Sequence, residues 1–420
     1  MTGPSRALHA AWQDAWLLDG CRTPFVDYNG ALALISPIDL AIRAARAVLD
    51  RAGVAASDIG TVIVGNMAQA SFDAYMTPRH VALYAGAAIE TPAHLVQRVC
   101  GTGIEAIMQA ADAVMHRNVE AALVVGTESM SRNPVAAYTH RGGFRLGKVE
   151  FGDFLWEALL DTSCGLTMGD TAENLARRYD ISRPLVDAYA ARSFARALAA
   201  QADGFLAGEI VPVVSEAFER EGYAARGIRL PRGTVTVVQD SHVRPSPVEV
   251  LARIQPAFGG VQTGGNSSAV VDGAAAAIVC SAACAEARNR RPLARIVAGA
   301  AIGCPPEIMG IGPVPAIQAV LDATGLHLRD IDRFEINEAF GAQVMACVRA
   351  LELDEAKLNV NGGAIAIGHP LGATGVRLAV TLARELQRSG LHRGIAAACI
   401  GGGQGIALLV ENPDAAQGVH

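Results

Sequence analysis

Short uninterrupted apolar runs alternate along the chain with longer stretches of three-to-four spacing. Thr61–Gly65 (TVIVG), Ala121–Gly126 (AALVVG), Ala274–Cys280, Ala294–Gly299, Gly394–Gly401 and Gly405–Val410 are runs of the first kind. Runs of this length without apolar–polar alternation predict strands buried on both faces. Between them, Ile104, Ile107, Met108, Ala111, Val114 and Met115 form one apolar helical stripe. Strands and helices in alternation predict an α/β protein with a mainly parallel sheet.

The middle of the chain breaks this rhythm. Arg132 to Gly152 reads as loop, with basic residues Arg141, Arg145 and Lys148. A helix is predicted over Pro184–Ala202, with Ser182 as its N-cap, Pro184 in its first turn and Gly204 ending it. Arg226–Arg232 and Arg244–Pro247 are loop-rich and basic, so 131–262 reads as an insertion of loops and helices. On either side of it a pattern recurs. Val99-Cys100-Gly101-Thr102-Gly103 opens a helix leading to strand 121–126 and then Gly126-Thr127-Glu128-Ser129. Gly362 to Gly375 opens a helix over 376–388, leading to strand 394–400 and then Gly401-Gly402-Gly403. Glycine-rich turn, helix and glycine-ended strand in one order suggest a duplicated α/β unit.

Composition narrows the function classes. With 420 residues and 51% apolar content, the chain can bury two or three compact units and is not disordered. Only 5% is aromatic while 44 residues are glycine, so the interior packs through close backbone approach. The net charge of −6 argues against a dedicated nucleic-acid binder but leaves room for a basic patch facing one anionic ligand. Eight cysteines are too sparse for a disulfide scaffold, and Cys280 and Cys284 have no neighbours to complete a zinc site. Met1–Trp16 lacks a signal-peptide pattern, and the longest apolar candidate, Ala269–Ala285, is broken by Asp272 and Gly273. The expectation is a cytoplasmic protein with free thiols and no membrane span.

Four stretches carry chemistry. Cys100 lies directly before a helix, where unpaired N–H groups favour a thiolate; the alternative is a small buried hydrophobe. Asn361–Gly375 brackets His369 with five glycines in fifteen residues, costly in chain entropy unless it serves a site. It lacks the lysine of a P-loop, and His369 is placed to act as a base. Cys399 ends a strand beside Gly401, Gly402, Gly403 and Gly405, where α/β sheets put ligands, and can serve as acid or base. Asn337, in Asn337-Glu338-Ala339-Phe340, can orient a water or donate to an oxyanion, or simply cap a helix.

Together VCGTG (99–103), GTESMSR (126–132), MGDTAEN (168–174), INEAF (336–340), GGAIAIGHPLGATG (362–375) and CIGGGQG (399–405) resemble the motif set of the thiolases, in order and spacing. The resemblance runs from about Asp19 to Val410. GNMAQAS (65–71), LWEALLD (155–161) and MGIGPVPA (309–316) resemble the mitochondrial-type 3-ketoacyl-CoA thiolases in particular. It implies two similar α/β halves in α/β/α/β/α layers: 1–130 completed by 263–289, a CoA-binding loop domain at 131–262, and 290–420. It implies reversible thiolysis of 3-ketoacyl-CoA through a cysteine acyl-enzyme, as in β-oxidation, with CoA and acyl-CoA as substrates and no tightly bound cofactor or metal. By motif, Cys100 matches the nucleophile, His369 its base and Cys399 the thiol that protonates the departing carbanion. Asn337 matches the holder of an oxyanion-hole water shared with His369. The N–H groups of Cys100 and Gly401 match a second oxyanion hole. Arg244 matches a contact near the nucleotide of CoA, Ser268 a pantetheine contact and Met168 an acyl-pocket wall. The family also implies a homo-oligomer, dimer or tetramer, with Arg141–Lys148 where tetramers carry a contact loop.

Some positions depart from the common pattern. Thr102 follows the nucleophile in place of a frequent Ser, and Gly265-Asn266-Ser267-Ser268-Ala269 replaces N-A-S-G. Thr167 stands where many acetoacetyl-specific members have His, and Asp170 places an acid close to the same pocket. The rival readings are a biosynthetic acetyl-CoA acetyltransferase, a decarboxylating ketosynthase and a non-catalytic acyl-CoA binding protein. The second cysteine motif argues against the ketosynthase, and the complete residue set against the binding protein.

Overall fold

A computed structural model of the chain describes residues 7–68, 74–116, 119–137 and 142–415. Arg141 and residues 69–71 of the GNMAQAS motif lie outside them. The first half consists of β1 (Trp16–Arg22), α1 (Pro37–Ala52), β2 (Thr61–Gly65), β3 (Ala93–Val96), α2 (Thr102–Met115), β4 (Ala121–Glu128) and, after a long excursion, β5 (Val271–Cys280). The excursion holds α3 (Met168–Arg178), α4 (Arg183–Ala202) and several two- or three-residue strands. The second half follows as β6 (Ala294–Gly303), α5 (Pro313–Thr324), β7 (Arg333–Ile336), α6 (Leu371–Ser389), β8 (Arg393–Ile400) and β9 (Gln404–Glu411).

The strands run β3-β2-β4-β5-β1-β6-β9-β8-β7. Only Leu17 with Ala294 and Trp16 with Arg295 join β1 to β6, so the sheet reads as two halves meeting at one corner. The halves repeat one topology. In the first, β2 is parallel to β4, which is antiparallel to β5, which is antiparallel to β1. In the second, β7 is parallel to β8, which is antiparallel to β9, which is antiparallel to β6. A parallel bridge from Phe334 to Leu358 stands where the first half has β3. The duplicated architecture is thus present strand by strand.

The sheet is mixed, not mainly parallel. β5 and β9 are nearly or wholly buried along their length yet pair antiparallel, because helices cover both faces of the sheets. Unbroken apolar runs report that double covering, not strand direction. α2 and α6 form the middle layer: α2 packs on β4 and β9, and α6 on β4, β5 and β8. α1 covers the outer face of the first sheet and α5 that of the second. The two middle helices touch backbone to backbone, since a Cβ on Gly103 would lie 2.5 Å from the Val376 nitrogen. No side chain fits that crossing, which is what the glycine in VCGTG provides.

α4 starts at Arg183, one residue before the expectation. Ser182 takes the N-cap position, but its hydroxyl makes no capping bond; Gly204 follows the helix at φ 83°. α6 begins at Leu371, five residues before the expected 376, because the glycines of this loop are compatible with helix once packed against β4. Arg132–Gly152 is largely irregular, with Val135–Ala136 paired to Gly152–Asp153. Among the described residues no helix is long and apolar enough to cross a membrane.

Candidate active site

The two middle helices aim their amino termini at one place. Cys100 precedes α2 by two residues, and His369 precedes α6 by two. Val99 holds φ 44°, an outlier for a β-branched residue, at the turn that presents Cys100. Asn337 follows the last residue of β7, and Cys399 is the penultimate residue of β8. Gly401 opens the β8–β9 hairpin, whose Gly402 and Gly403 both have positive φ.

Cys100 and His369 line an apolar chamber of about 250 Å³ together with Met168, Ser268, Phe258 and Phe340. Met168 and Gly401 also border an open groove of about 590 Å³. Phe258 stands edge-on to Phe340 with centroids 6.2 Å apart and lies over Gly169, where a Cβ would approach the ring to 2.4 Å. Cys399 is wholly buried beside Met309 and Ala339, with Met168 and Phe340 packed against this cluster.

The electrostatics overturn one expectation. A helix amino terminus was to favour the Cys100 thiolate, but burial pushes its pKa up to about 11. The N–H groups of Gly401 and of Cys100 itself hydrogen-bond the sulfur and oppose that rise, while the charge of Glu128 adds to it. Burial, assisted by the Arg377 charge, pushes His369 down to about 3. At rest, then, both partners are neutral: a thiol and an imidazole free to take its proton. Burial likewise raises Cys399 well above the usual thiol value, with Cys100 contributing.

Hydrogen bonds fix which histidine nitrogen is basic. The Thr374 hydroxyl donates to the Pro370 carbonyl at 3.0 Å, so its lone pair accepts from Nδ1–H of His369 at 2.7 Å. That leaves the lone pair on Nε2, which faces the Asn337 amide Nδ2 at 3.2 Å. Asn337 Oδ1 is buried and has no protein partner among the described residues. An acceptor so placed costs about 1–3 kcal/mol unless a donor reaches it.

The nucleotide-end assignment fares differently. Arg244 is exposed, lies over the Phe194 ring at 5.4 Å and donates to the His242 carbonyl at 3.2 Å. It lines neither the chamber nor the groove. Asp170 now has an account: it is the third residue of α3, its carboxylate accepting from Thr167 N–H at 2.9 Å and from the Thr167 hydroxyl at 2.6 Å. It completes a capping box with Thr167 and is not a free acid of the pocket. Sequence reasoning passed over Thr374 and Glu128. Both stand inside quoted motifs, but their partners become visible only in the fold.

Comparison with known proteins agrees with this geometry. Residues 16–283 match the family model "Thiolase, N-terminal domain" and residues 290–412 "Thiolase, C-terminal domain". The mitochondrial 3-ketoacyl-CoA thiolase of Bos taurus is 43% identical over 93% of this chain and 96% of its own length. An acetyl-CoA acetyltransferase of Shinella zoogloeoides is 38% identical over 94% of this chain and 98% of its own. The crystal structure of human mitochondrial 3-ketoacyl-CoA thiolase in complex with CoA superposes with a TM-score of 0.89 at 40% identity, covering 95% of this chain and 98% of that one. The chain belongs to the thiolase family.

Proposed function

We propose that the protein is a 3-ketoacyl-CoA thiolase, cleaving 3-ketoacyl-CoA with CoA to acetyl-CoA and a shortened acyl-CoA. The observation that carries this reading is the convergence of a neutral thiol, Cys100, and a neutral imidazole, His369, on one apolar chamber. Asn337 and the buried Cys399 stand behind them.

In the proposed reaction, Nε2 of His369 takes the Cys100 proton as the sulfur attacks the 3-keto carbon. The keto oxygen becomes an oxyanion facing the N–H groups of Cys100 and Gly401, which already point at the sulfur. The C2–C3 bond breaks and its electron pair moves to C2. The thioester oxygen of that enolate accepts from protonated His369 and from a water bound to Asn337 Oδ1. Cys399 gives its proton to C2, releasing acetyl-CoA. Cys399 then takes the thiol proton of incoming CoA, whose sulfur collects the acyl group, and His369 returns its proton to Cys100.

Residues 131–262 are proposed as the CoA-binding insertion, with its Met168 at the acyl group and its Arg244 near the nucleotide, and with Ser268, just beyond it, at the pantetheine. Supporting this, Ser268 and Met168 line the chamber; Arg244 contributes only an exposed cation. A cytoplasmic homo-oligomer, dimer or tetramer, completes the reading. It uses CoA and acyl-CoA as substrates, with no tightly bound cofactor and no nucleic-acid partner. The related proteins named mitochondrial make location a matter for fractionation.

The test is thiolysis of acetoacetyl-CoA, 3-ketohexanoyl-CoA and 3-ketododecanoyl-CoA, followed by loss of ketoacyl-CoA absorbance, with Cys100→Ser as control. Turnover of the longer chains supports a degradative thiolase. Activity on acetoacetyl-CoA alone would favour the biosynthetic acetyltransferase, and silence on all three would overturn the proposal.

A further inference from the structure

The repeat topology allows the halves to be compared residue by residue at the site. Gly65 ends β2 in register with Gly126 of β4, and Ile336 ends β7 in register with Ala397 of β8. The next residue is an asparagine in both halves, Asn66 and Asn337. Two residues past Gly126 and Ala397 stand Glu128 and Cys399. Glu128 therefore occupies in the first half the place that Cys399 occupies in the second.

Glu128 is only 1% exposed, and its carboxylate is gripped from two directions. One oxygen accepts from the Asn66 amide at 3.0 Å and from the Ala68 N–H at 3.2 Å. The other accepts from the Met67 N–H at 3.0 Å and from the Gly372 N–H at 2.9 Å. The first three donors belong to the loop leaving β2. The fourth lies in the first turn of α6, three residues after His369. Met67, Ala68, Cys100 and Leu371 share one packed cluster, so both ends of this clasp touch the surroundings of the nucleophile. The fit at Gly372 is tight: a Cβ there would stand 2.6 Å from the Thr127 carbonyl oxygen and 2.7 Å from that of Gly65.

We propose that Glu128 is a positioning residue, the clasp that holds the half bearing the nucleophile and the half bearing the base in register at the reacting centre. It touches no reacting atom and acts through Met67, Ala68 and the first turn of α6. Its charge has a second effect. The titratable groups facing Cys100 are Glu128, His369 and Cys399; burial pushes Glu128 up to about 7 against the pull of its donors, so at pH 8 it is mostly ionised and its charge adds to the burial that opposes the Cys100 thiolate. The clasp thus adds a negative charge to the burial that keeps the thiol protonated.

The turnover arm of the test rests on the thiolase reading; the alkylation arm does not. In Glu128→Gln the amide NH₂ meets two N–H donors whichever oxygen it replaces, and the charge is lost. Turnover should fall at least about tenfold with little change in the KM for CoA. Alkylation of Cys100 by iodoacetamide at pH 8, read on its peptide by mass spectrometry, should become several-fold faster as the opposing charge goes. Glu128→Asp keeps the charge but is too short to span both loops, so it should lose turnover while Cys100 alkylates at the wild-type rate. A merely structural carboxylate would lower turnover and melting temperature together and leave alkylation unchanged in Glu128→Gln, overturning the proposal. If Glu128→Gln does not fold, wild-type turnover in Glu128→Asp overturns it instead. If the wild-type protein turns over no ketoacyl-CoA, the functional reading fails and the alkylation rates alone decide the clasp.

Discussion

The two halves place functional groups at equivalent points and use them differently, even where the residue is the same. Asn66 is tied down by its amide, which donates to the Thr127 carbonyl at 2.9 Å and to Glu128 at 3.0 Å. Its counterpart Asn337 touches His369 and keeps a buried oxygen without a protein partner among the described residues. Cys100 and His369 stand at equivalent helix starts, one as nucleophile and one as base in the proposed reaction. The lesson is that a repeat acquires chemistry by leaving bonds unmade in one copy. The saturated copy becomes scaffold for the open one.

The sharpest way to break this comparison is to remove the groups it calls reactive. Cys100→Ser should abolish the acyl-enzyme and lower turnover by about four orders of magnitude or more, since a hydroxyl ionises far less readily. A labelled acyl adduct persisting on that variant removes Cys100 from its role. Cys399→Ser should still be acylated by acetyl-CoA but lose condensation by about 10²–10⁴-fold, the usual worth of a placed acid or base. Condensation at the wild-type rate would sink that assignment. The paired asparagines give the most direct contrast. Asn337→Ala should cost about 10²-fold in turnover with a native melting temperature. Asn66→Ala should cost about 1–3 kcal/mol of stability by removing one donor from the buried Glu128 carboxylate, and should lower turnover far less than Asn337→Ala because the backbone donors of Met67, Ala68 and Gly372 remain. Equal effects on turnover would mean the halves have not diverged as described.

Two smaller effects probe the base. Thr374→Val removes the acceptor for Nδ1–H of His369, releases the tautomer and should slow acylation about tenfold; Thr374→Ser should restore it. His369 also leaves a mark on stability. Its folded value of about 3 lies below the ordinary 6.5, so on acidification through that window the unfolded chain takes a proton the folded chain declines. Stability is therefore lost as pH falls below about 6.5, and His369→Asn should reduce that loss in urea titrations compared between pH 7 and pH 5. An unchanged pH dependence would show that His369 is not held neutral by burial.

Much of this was legible in the chain, for reasons particular residues make clear. The apolar runs at 61–65, 121–126 and 274–280 located buried strands because both of their faces are covered. β1 escaped notice because WLLDGCR carries Asp19 and Arg22. Arg22 is nonetheless buried, paired with Glu209 and Asp240 at 2.6 Å each, partners far along the chain. Strand direction was misread because double burial looks alike in parallel and antiparallel sheets. At the site, the motifs picked out Cys100, His369, Asn337, Cys399 and Gly401, which the fold brings into one neighbourhood. The Cys100 protonation state was misjudged because burial outweighs the helix terminus, and burial cannot be read from a tetrapeptide. Glu128 looked like one more residue of a motif, since its bond to Gly372 spans 244 positions.

The corner where β1 meets β6 and the crossing of Gly103 with Gly375 also set an order in time. During synthesis Cys100 emerges long before β5 completes its own sheet, and longer still before His369 and Cys399 are made. Until the second half docks, Cys100 has neither His369 nor the Gly401 N–H beside it, and the chamber has no far wall. The nascent chain thus carries Cys100 as an ordinary uncovered thiol, and the proposed reaction becomes possible only in one of the last assembly steps.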